Sequence, residues 1–358
     1  MPALPAEVAA LRAELDSALG THVQQITGRL PRLHPALELL GEELRAFVAA
    51  GGKRLRPLFL VVGYQAAGGR DPGAVLGPAL ALELVHTCAL VHDDLVDGAA
   101  TRRGRPAAHV AFAERYRADG WRADAAEFGR AAALLLGDLA FVVADELFIQ
   151  STGEVAVDRL LTAFRTFTTM REELTAGQYL DVVAAHRRDP SPDLALAVAG
   201  YKSARYSVAR PLEIGAILAA GQGTVSRGLV QVGVPLGQAF QLRDDVLGVF
   251  GAEERTGKST LSDLAEGKRT LLVALTAERL DAAGRARLER LLGRRDLSVA
   301  EADEIRALMR ASGGLAATEA RADALVQEAM RALDELPVSA DARQLLRELA
   351  GYLVARTV

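Results

Sequence analysis

An all-α fold is what these 358 residues predict, and three observations predict it. Alanine and leucine dominate, while aromatic side chains make up only 5% of the chain and β-branched residues are few, a composition that favours helix. Apolar stretches of helical length follow one another along the chain. Short breaks marked by glycine or proline separate them. Half the residues are apolar, enough for a sizeable core in one large helical domain or two ordinary ones.

The net charge of -4, with acids and bases interspersed, points away from nucleic acid and from an anionic membrane surface as partners. A single cysteine, Cys88, excludes an intramolecular disulfide and fits a reducing cytosol. The first residues carry acids and no basic run, unlike a signal peptide. The apolar runs Leu58–Gly69 and Ala131–Ala144 are too short or too interrupted to span a bilayer, so no membrane span and a cytoplasmic location are expected.

Taken in order, Pro5 to Thr27 predicts an amphipathic helix, Pro31 and Pro35 break the chain, and Ala36–Ala49 resumes helix. Gly51 and Gly52 end it, and Lys53, Arg54 and Arg56 open the next, which is apolar over Leu58–Tyr64. Basic groups at a helix start form a ready anion site. GGRDPG (Gly68–Gly73) is a turn. Leu76–Asp97 then predicts one helix, apolar almost all round and therefore buried. Its end carries Asp93, Asp94 and Asp97, and Arg102 and Arg103 follow a short loop later. Asp93 and Asp97 share a face one turn apart, in a stripe with His86 and Ala89. Two carboxylates on one face suit Mg²⁺, which completes its shell with water and substrate phosphates, and paired arginines are fork-shaped phosphate donors. Three acids at the C-terminal end of a buried helix are costly unless a cation answers them.

Arg115–Ala125 reads as a polar loop, Phe128–Gln150 and Val155–Ala185 as helices, and His186–Asp193 as a loop. Tyr201–Ala220 predicts a helix with Lys202 and Ser203 at its start. Leu229–Phe250 is a second apolar helix ending in acids, with Gln241, Asp244, Asp245 and Gly248 on adjacent turns and Arg243 adding positive charge beside them. Lys258 and Lys268 lie in the glycine-containing segment that follows. Gly257-Lys258-Ser259 fails as a P-loop, because Gly251 is one residue too far back and a helix precedes it. From Arg269 on, helices alternate with breaks at Gly284, Gly293, Ser298, Gly313 and Pro337, and carry no functional cluster. With no long linker, residues 1–358 read as one domain: 1–50 as N-terminal helices, 51–276 with the motifs, 277–358 as scaffold.

The motifs GGKRLRP, HDDLVD…RRGRP, GD at Gly137, GQYLD (Gly177–Asp181), YKSARYS, FQLRDD and GKSTLSDLAEGKRT come in the order and spacing of one family. The chain resembles the trans-isoprenyl diphosphate synthases, or polyprenyl synthetases, and looks most like geranylgeranyl diphosphate synthases of actinobacterial type. That resemblance implies an isoprenoid-synthase helical bundle around a deep central cavity, a homodimer, and condensation of isopentenyl diphosphate with an allylic diphosphate. It implies Mg²⁺, three ions per site, held by Asp93, Asp97 and Asp244, with Asp94 in support. Arg102, Lys202, Lys258 and Lys268 would hold the allylic diphosphate, with Ser203 and Gln241 near it. Lys53, Arg56, His86 and Arg103 would hold isopentenyl diphosphate. Val85, Cys88 and Ala89 lie below the first motif; relatives that stop at fifteen carbons commonly place an aromatic ring near Cys88 and Ala89, so a product of about twenty carbons is expected, with farnesyl or longer polyprenyl diphosphates as the alternatives, longer ones if no bulky residue from another helix closes the pocket floor. The family's second motif usually ends in a third aspartate, where this chain has Gly248. A class I terpene cyclase would want a hydroxyl and an acid where Gly248 and Ala252 stand. A non-catalytic subunit would be expected to lose more acids than this one. A metal phosphohydrolase reading rests on His92-Asp93 alone.

Overall fold

The computed structural model describes residues 6–120, 124–150, 155–187, 191–251 and 262–354, and these are helical almost throughout. They gather into two compact units of discontinuous chain: Ala6–Val61 with Asp71–Leu160, and Val62–Arg70 with the chain from Leu161 onward.

The first unit holds α1 (Ala6–Thr27), α2 (Leu30–Leu33), α3 (Glu38–Ala49), the start of α4 (Leu55–Ala66), α5 (Leu76–Asp97), α6 (Ala108–Ala118), α7 (Ala125–Ile149) and the first residues of α8 (Val157–Arg187). Helix α5 is its axis and packs along α7. It runs unbroken as the sequence predicts and stops at Gly98, whose φ of 68° supplies the left-handed cap. By length and composition the window Pro72–Asp97 could cross a membrane, with a mean hydropathy of 1.8, yet 72% of it is buried within the fold. It is this helix, rather than the apolar runs singled out at Leu58–Gly69 and Ala131–Ala144, that meets the length and composition of a span, and it does so as a core element. His92 lies flat on α7, its Nε2 3.1 Å from the Leu134 carbonyl, and any Cβ at Gly137 would overlap the ring. This close approach explains the Gly137-Asp138 motif and turns His92 away from any dyad with Asp93.

The second unit holds the rest of α4 and α8, then α9 (Pro192–Val198), a π-helical run (Ala199–Ala209), α10 (Arg210–Ala220) and α11 (Thr224–Phe250). Helices Ser262–Glu266, Leu271–Arg279, Ala282–Leu291, Val299–Ala311, Gly314–Glu335 and Ala340–Val354 follow. Val246 and Val249 of α11 are buried with Leu272, Leu288, Ile305 and Met309, so the C-terminal stretch builds the core under the acid-bearing helix.

Four local expectations are corrected. Arg115–Arg117 belong to α6, because Phe112, Ala113 and Tyr116 are buried along one side, with Tyr116 against the Phe128 ring at 4.9 Å; the arginines only decorate that helix. His186 and Arg187 still belong to α8. Gly284 is no break: Asp281 accepts a 2.7 Å hydrogen bond from its N–H and starts a helix there. The helix expected at Tyr201–Ala220 is π-helical up to Ala209.

Arg54, read with Lys53 and Arg56 as one basic cluster, is a packing residue. Its side chain, 4% exposed, donates to Asp16 of α1 (2.6 Å), Glu83 of α5 (2.6 Å) and the Val48 carbonyl of α3 (3.0 Å). Glu83 is equally buried, at 3% exposure. Removing one member of such a pair strands the other charge in the interior. Arg54→Ala is expected to lower unfolding stability in urea by about 3–5 kcal/mol, and a loss below about 1 kcal/mol would put the pair among solvent-screened surface bridges.

Candidate active site

In the first unit, the C-terminal end of α5 sorts its acids. Asp93 and Asp97 lie partly exposed on the stripe with His86 and Ala89, as the helical repeat predicts. Asp94 points the other way and has no solvent exposure; it accepts from Nε of Arg102 at 2.9 Å and from the same guanidinium's NH2. That grip leaves Arg102 3.9 Å from Asp93. Arg102 lies on a two-stranded hairpin that the sequence pattern does not predict: β1 (Thr101–Arg102) pairs antiparallel with β2 (Arg105–Pro106). The turn residues Arg103 and Gly104 both have positive φ, 54° and 73°, the pattern of a type I′ turn. Among the described residues the non-glycine positions with positive φ are Arg54 and Arg103. Such strain persists where surroundings over-determine it, and it clusters at functional sites. Here Arg103 donates to the Gly51 carbonyl, tying the hairpin to the glycine loop before α4. Arg105 faces Arg102 across the hairpin, donates to the Ala46 carbonyl and lines a small hollow with Arg102, Arg103, Glu43 and Phe47. Sequence reasoning missed Arg105; its signal was the second basic arm of RRGRP.

Lys53 precedes α4 and Arg56 lies in its first turn, both half-buried. His86 is held well below the ordinary imidazole range, first by burial and then by the guanidiniums of Arg56, Arg103, Arg102 and Arg54. It is neutral at pH 7 and can donate one N–H while the arginines carry the positive field. Of the residues beneath Asp93, Val85 is fully buried, and Cys88 turns toward His92, 3.6 Å from its Nδ1. Ala89 alone shares the face of Asp93. Burial, with the Asp138 carboxylate, pushes the Cys88 thiol up to about 12.

In the second unit, Lys202 pairs with Asp181 of α8 at 2.6 Å, and Ser203 is buried beside it. Near the end of α11, Gln241 donates to Asp245 at 2.7 Å and Asp244 is exposed. Arg243 turns away from the acids to Asp323 (2.7 Å) and the Val354 carbonyl, so it does not supply the local charge expected of it. Lys268 lies 3.6 Å from Asp263 and 2.9 Å from Glu266. Lys258 lies outside the described residues. The Asp263 carboxylate fills the space a side chain at Gly248 would need, and a Cβ there would overlap its Oδ2. An acid thus stands beside Gly248, delivered from another helix. Asp245 feels the crowd, raised to about 8 by burial first, with Asp263 and Asp244 adding to it against the Gln241 hydrogen bond.

Carboxylates this crowded suit a divalent cation, whose charge would reverse that pressure. Among the described residues no three His, Cys, Asp or Glu side chains gather tightly enough to enclose a metal by themselves. The donor set fits Mg²⁺ held by one or two carboxylates and completed by water and phosphate oxygens.

The polyprenyl synthetase family model matches residues 37–309, and the chain belongs to that family. It is a trans-prenyltransferase. It is 33% identical over 310 residues to the short chain isoprenyl diphosphate synthase of Methanothermobacter thermautotrophicus, covering 86% of this chain and 88% of that one. To the (2E,6E)-farnesyl diphosphate synthase of Mycobacterium bovis it is 33% identical over 308 residues, 85% and 80% of the two chains. The crystal structure of geranylgeranyl pyrophosphate synthase from Corynebacterium glutamicum, complexed with isoprenyl diphosphate and magnesium, matches with a TM-score of 0.90 at 32% identity, over 96% of this chain and 99% of that one.

The Gly248–Asp263 contact is testable. Gly248→Asp forces two carboxylates into one space and is expected to destabilise the metal-free protein by about 1–3 kcal/mol. Combining it with Asp263→Ala should remove that penalty; an equal penalty in both backgrounds, read by urea unfolding, would show that Asp263 is not the neighbour that matters.

Proposed function

We propose that this trans-prenyltransferase condenses isopentenyl diphosphate with an allylic diphosphate (dimethylallyl, geranyl or farnesyl) and that its main product is geranylgeranyl diphosphate. The observation that carries the chain length is Ala89, a small half-buried residue one turn below Asp93 on the same face, where a growing chain would pass. An aromatic ring there would stop it.

Asp93, Asp97 and Asp244 are the ligands for Mg²⁺ in this reading, three ions per site. When bound, the metal withdraws charge from the allylic diphosphate as it leaves. The protein's own groups do the rest. Asp94 holds Arg102 beside Asp93, where the guanidinium meets the allylic diphosphate together with Lys202, Lys258 and Lys268; Ser203 and Gln241 lie near it. These fixed cations stabilise the departing pyrophosphate without reorganising. Lys53, Arg56 and Arg103 hold the diphosphate of isopentenyl diphosphate, and neutral His86 donates to it. The carbocation needs apolar walls and no nucleophile. Val85 is apolar, and Cys88, with its thiol raised to about 12, presents no thiolate at neutral pH.

The same reading treats 1–358 as one functional domain working as a homodimer in the cytoplasm. Leu134, Leu135, Val142 and Ile149 of α7, each half exposed or more, support a second copy covering that side. The intact first motif, Asp93, Asp94 and Asp97, weighs against a non-catalytic subunit.

A product assay tests the proposal: purified protein, Mg²⁺ and isopentenyl diphosphate with each allylic starter, and the dephosphorylated alcohols read by mass spectrometry. A dominant twenty-carbon alcohol supports it. A fifteen-carbon stop overturns the product assignment and keeps the condensation. Hydrocarbon without elongation points to a cyclase. Asp93→Ala is expected to lower turnover by roughly 10²–10³ or more; near-normal activity would remove Asp93 from its role. Ala89→Phe is expected to shift the product toward fifteen carbons, and an unchanged distribution would mean the growing chain runs elsewhere.

A further inference from the structure

The segment that carries Lys202 is π-helical over eleven residues, Ala199–Ala209. Such i→i+5 turns are rare, mostly limited to a single turn, and frequent at functional sites. Part of the cause is local. Pro211, at the start of α10, has no N–H to give to residue 207 and its ring crowds that carbonyl, so the turn before it cannot close as α. Pro211 accounts for the downstream end only. The rest of the run is gripped from both sides.

On one side, α8 presents Glu173, Gly177 and Asp181, spaced one turn apart on a single line. Glu173 takes Arg210 by both oxygens, from Nε at 2.8 Å and NH2 at 2.6 Å, and also meets Arg205 at 3.3 Å. Arg210 in turn donates to Glu213 at 2.6 Å. Gly177 lies against the backbone of Lys202, where any Cβ would overlap its nitrogen. Asp181 holds the Lys202 ammonium itself. On the other side, α11 meets the run backbone to backbone, Gly233 against Ala209 and Gly237 against Ala204, two turns before Asp244. A widened helix needs such room, and the small residues supply it.

We infer that Glu173 is a positioning residue for Lys202: its two-pronged hold on Arg210 fixes the π register that aims the lysine. The hold sits at the joint between the π run and α10. Relaxing one π turn to α there would rotate Lys202 by about 100° relative to Arg210. A charge-assisted fork onto a side chain only 14% exposed restrains that rotation. Gly177 makes the contact possible, and Asp181 reads out the result at the ammonium.

This rests on Lys202 contacting the allylic diphosphate, and the test separates the two ideas. Steady-state kinetics would be measured for the full chain, Glu173→Gln, Lys202→Ala and the double variant, varying the allylic and isopentenyl diphosphates in turn. Glu173→Gln is expected to raise KM for the allylic diphosphate about tenfold and to leave KM for isopentenyl diphosphate within about twofold. In the Lys202→Ala background it should add nothing, because it acts through that lysine. Arg210→Lys keeps the charge, loses the fork and carries the same expectation, so the test stands if Glu173→Gln fails to unfold cooperatively. Effects that are additive with Lys202→Ala, or equal for both substrates, would overturn the positioning role and reduce the network to a structural brace. If Lys202→Ala itself leaves the allylic KM unchanged, the assignment of Lys202 falls, and the positioning role falls with it.

Discussion

A carboxylate without solvent exposure at the C-terminal end of a helix is penalised twice, by lost hydration and by the negative end of the dipole. Asp94 is in that position, and its bond to Arg102 is the constraint on which the surrounding architecture depends. Arg102 must be delivered to it, and a hairpin of two-residue strands is the shortest device that does so. That hairpin needs a turn with two left-handed residues, and one of them is Arg103 rather than the asparagine or glycine that would sit there without strain. The cost is accepted where the guanidinium can reach the Gly51 carbonyl and the field around His86. A single buried charge thus organises a helix end, a hairpin and a basic loop within one unit.

Burying Arg54 follows the same logic with a different outcome. It is the other left-handed arginine, and its donors go to Asp16, Glu83 and Val48, leaving it no role toward a ligand. Lys53 and Arg56 flank it with their side chains partly in solvent. Adjacent residues of like charge are therefore divided by burial between the packed interior and the partly exposed surface, a division that composition does not carry.

The sequence made the fold class and the acid-bearing helices legible because both rest on local pattern. Leu76–Asp97 is a helix end to end, and Asp93 and Asp97 share a face, since 3.6-residue periodicity is a property of the chain alone. What escaped reading depended on contacts distant in sequence. The membership of Arg115 and Arg117 in a helix is decided by Tyr116 on Phe128, and the turn of Arg243 by Asp323 and Val354. The role of Gly137 is set by the His92 ring, and the meaning of Gly248 by Asp263. Two of these are glycines, whose information lies in what fills the missing side chain's place. The π run escaped for a related reason: Pro211 hints at an irregularity, but its extent is fixed by partners on α8 and α11.

The two acid-bearing helix ends answer their charge in opposite ways. On α5 the buried acid is neutralised by protein, through Arg102, while Asp93 and Asp97 stay on a partly exposed face. On α11 the neutralisation is incomplete. Asp245 is burdened by Asp244 and Asp263, Arg243 has turned away, and Lys268 divides itself between Asp263 and Glu266. A carboxyl raised to about 8, by burial first and then by its acidic neighbours, keeps its proton at neutral pH, and a cation bound beside it would displace that proton. At Gly248 the space a side chain would take is filled by the Asp263 carboxylate, on the segment leading to Lys268. The acidic end of α11 is therefore built by two separate pieces of backbone, one carrying Asp244 and Asp245 and the other Asp263.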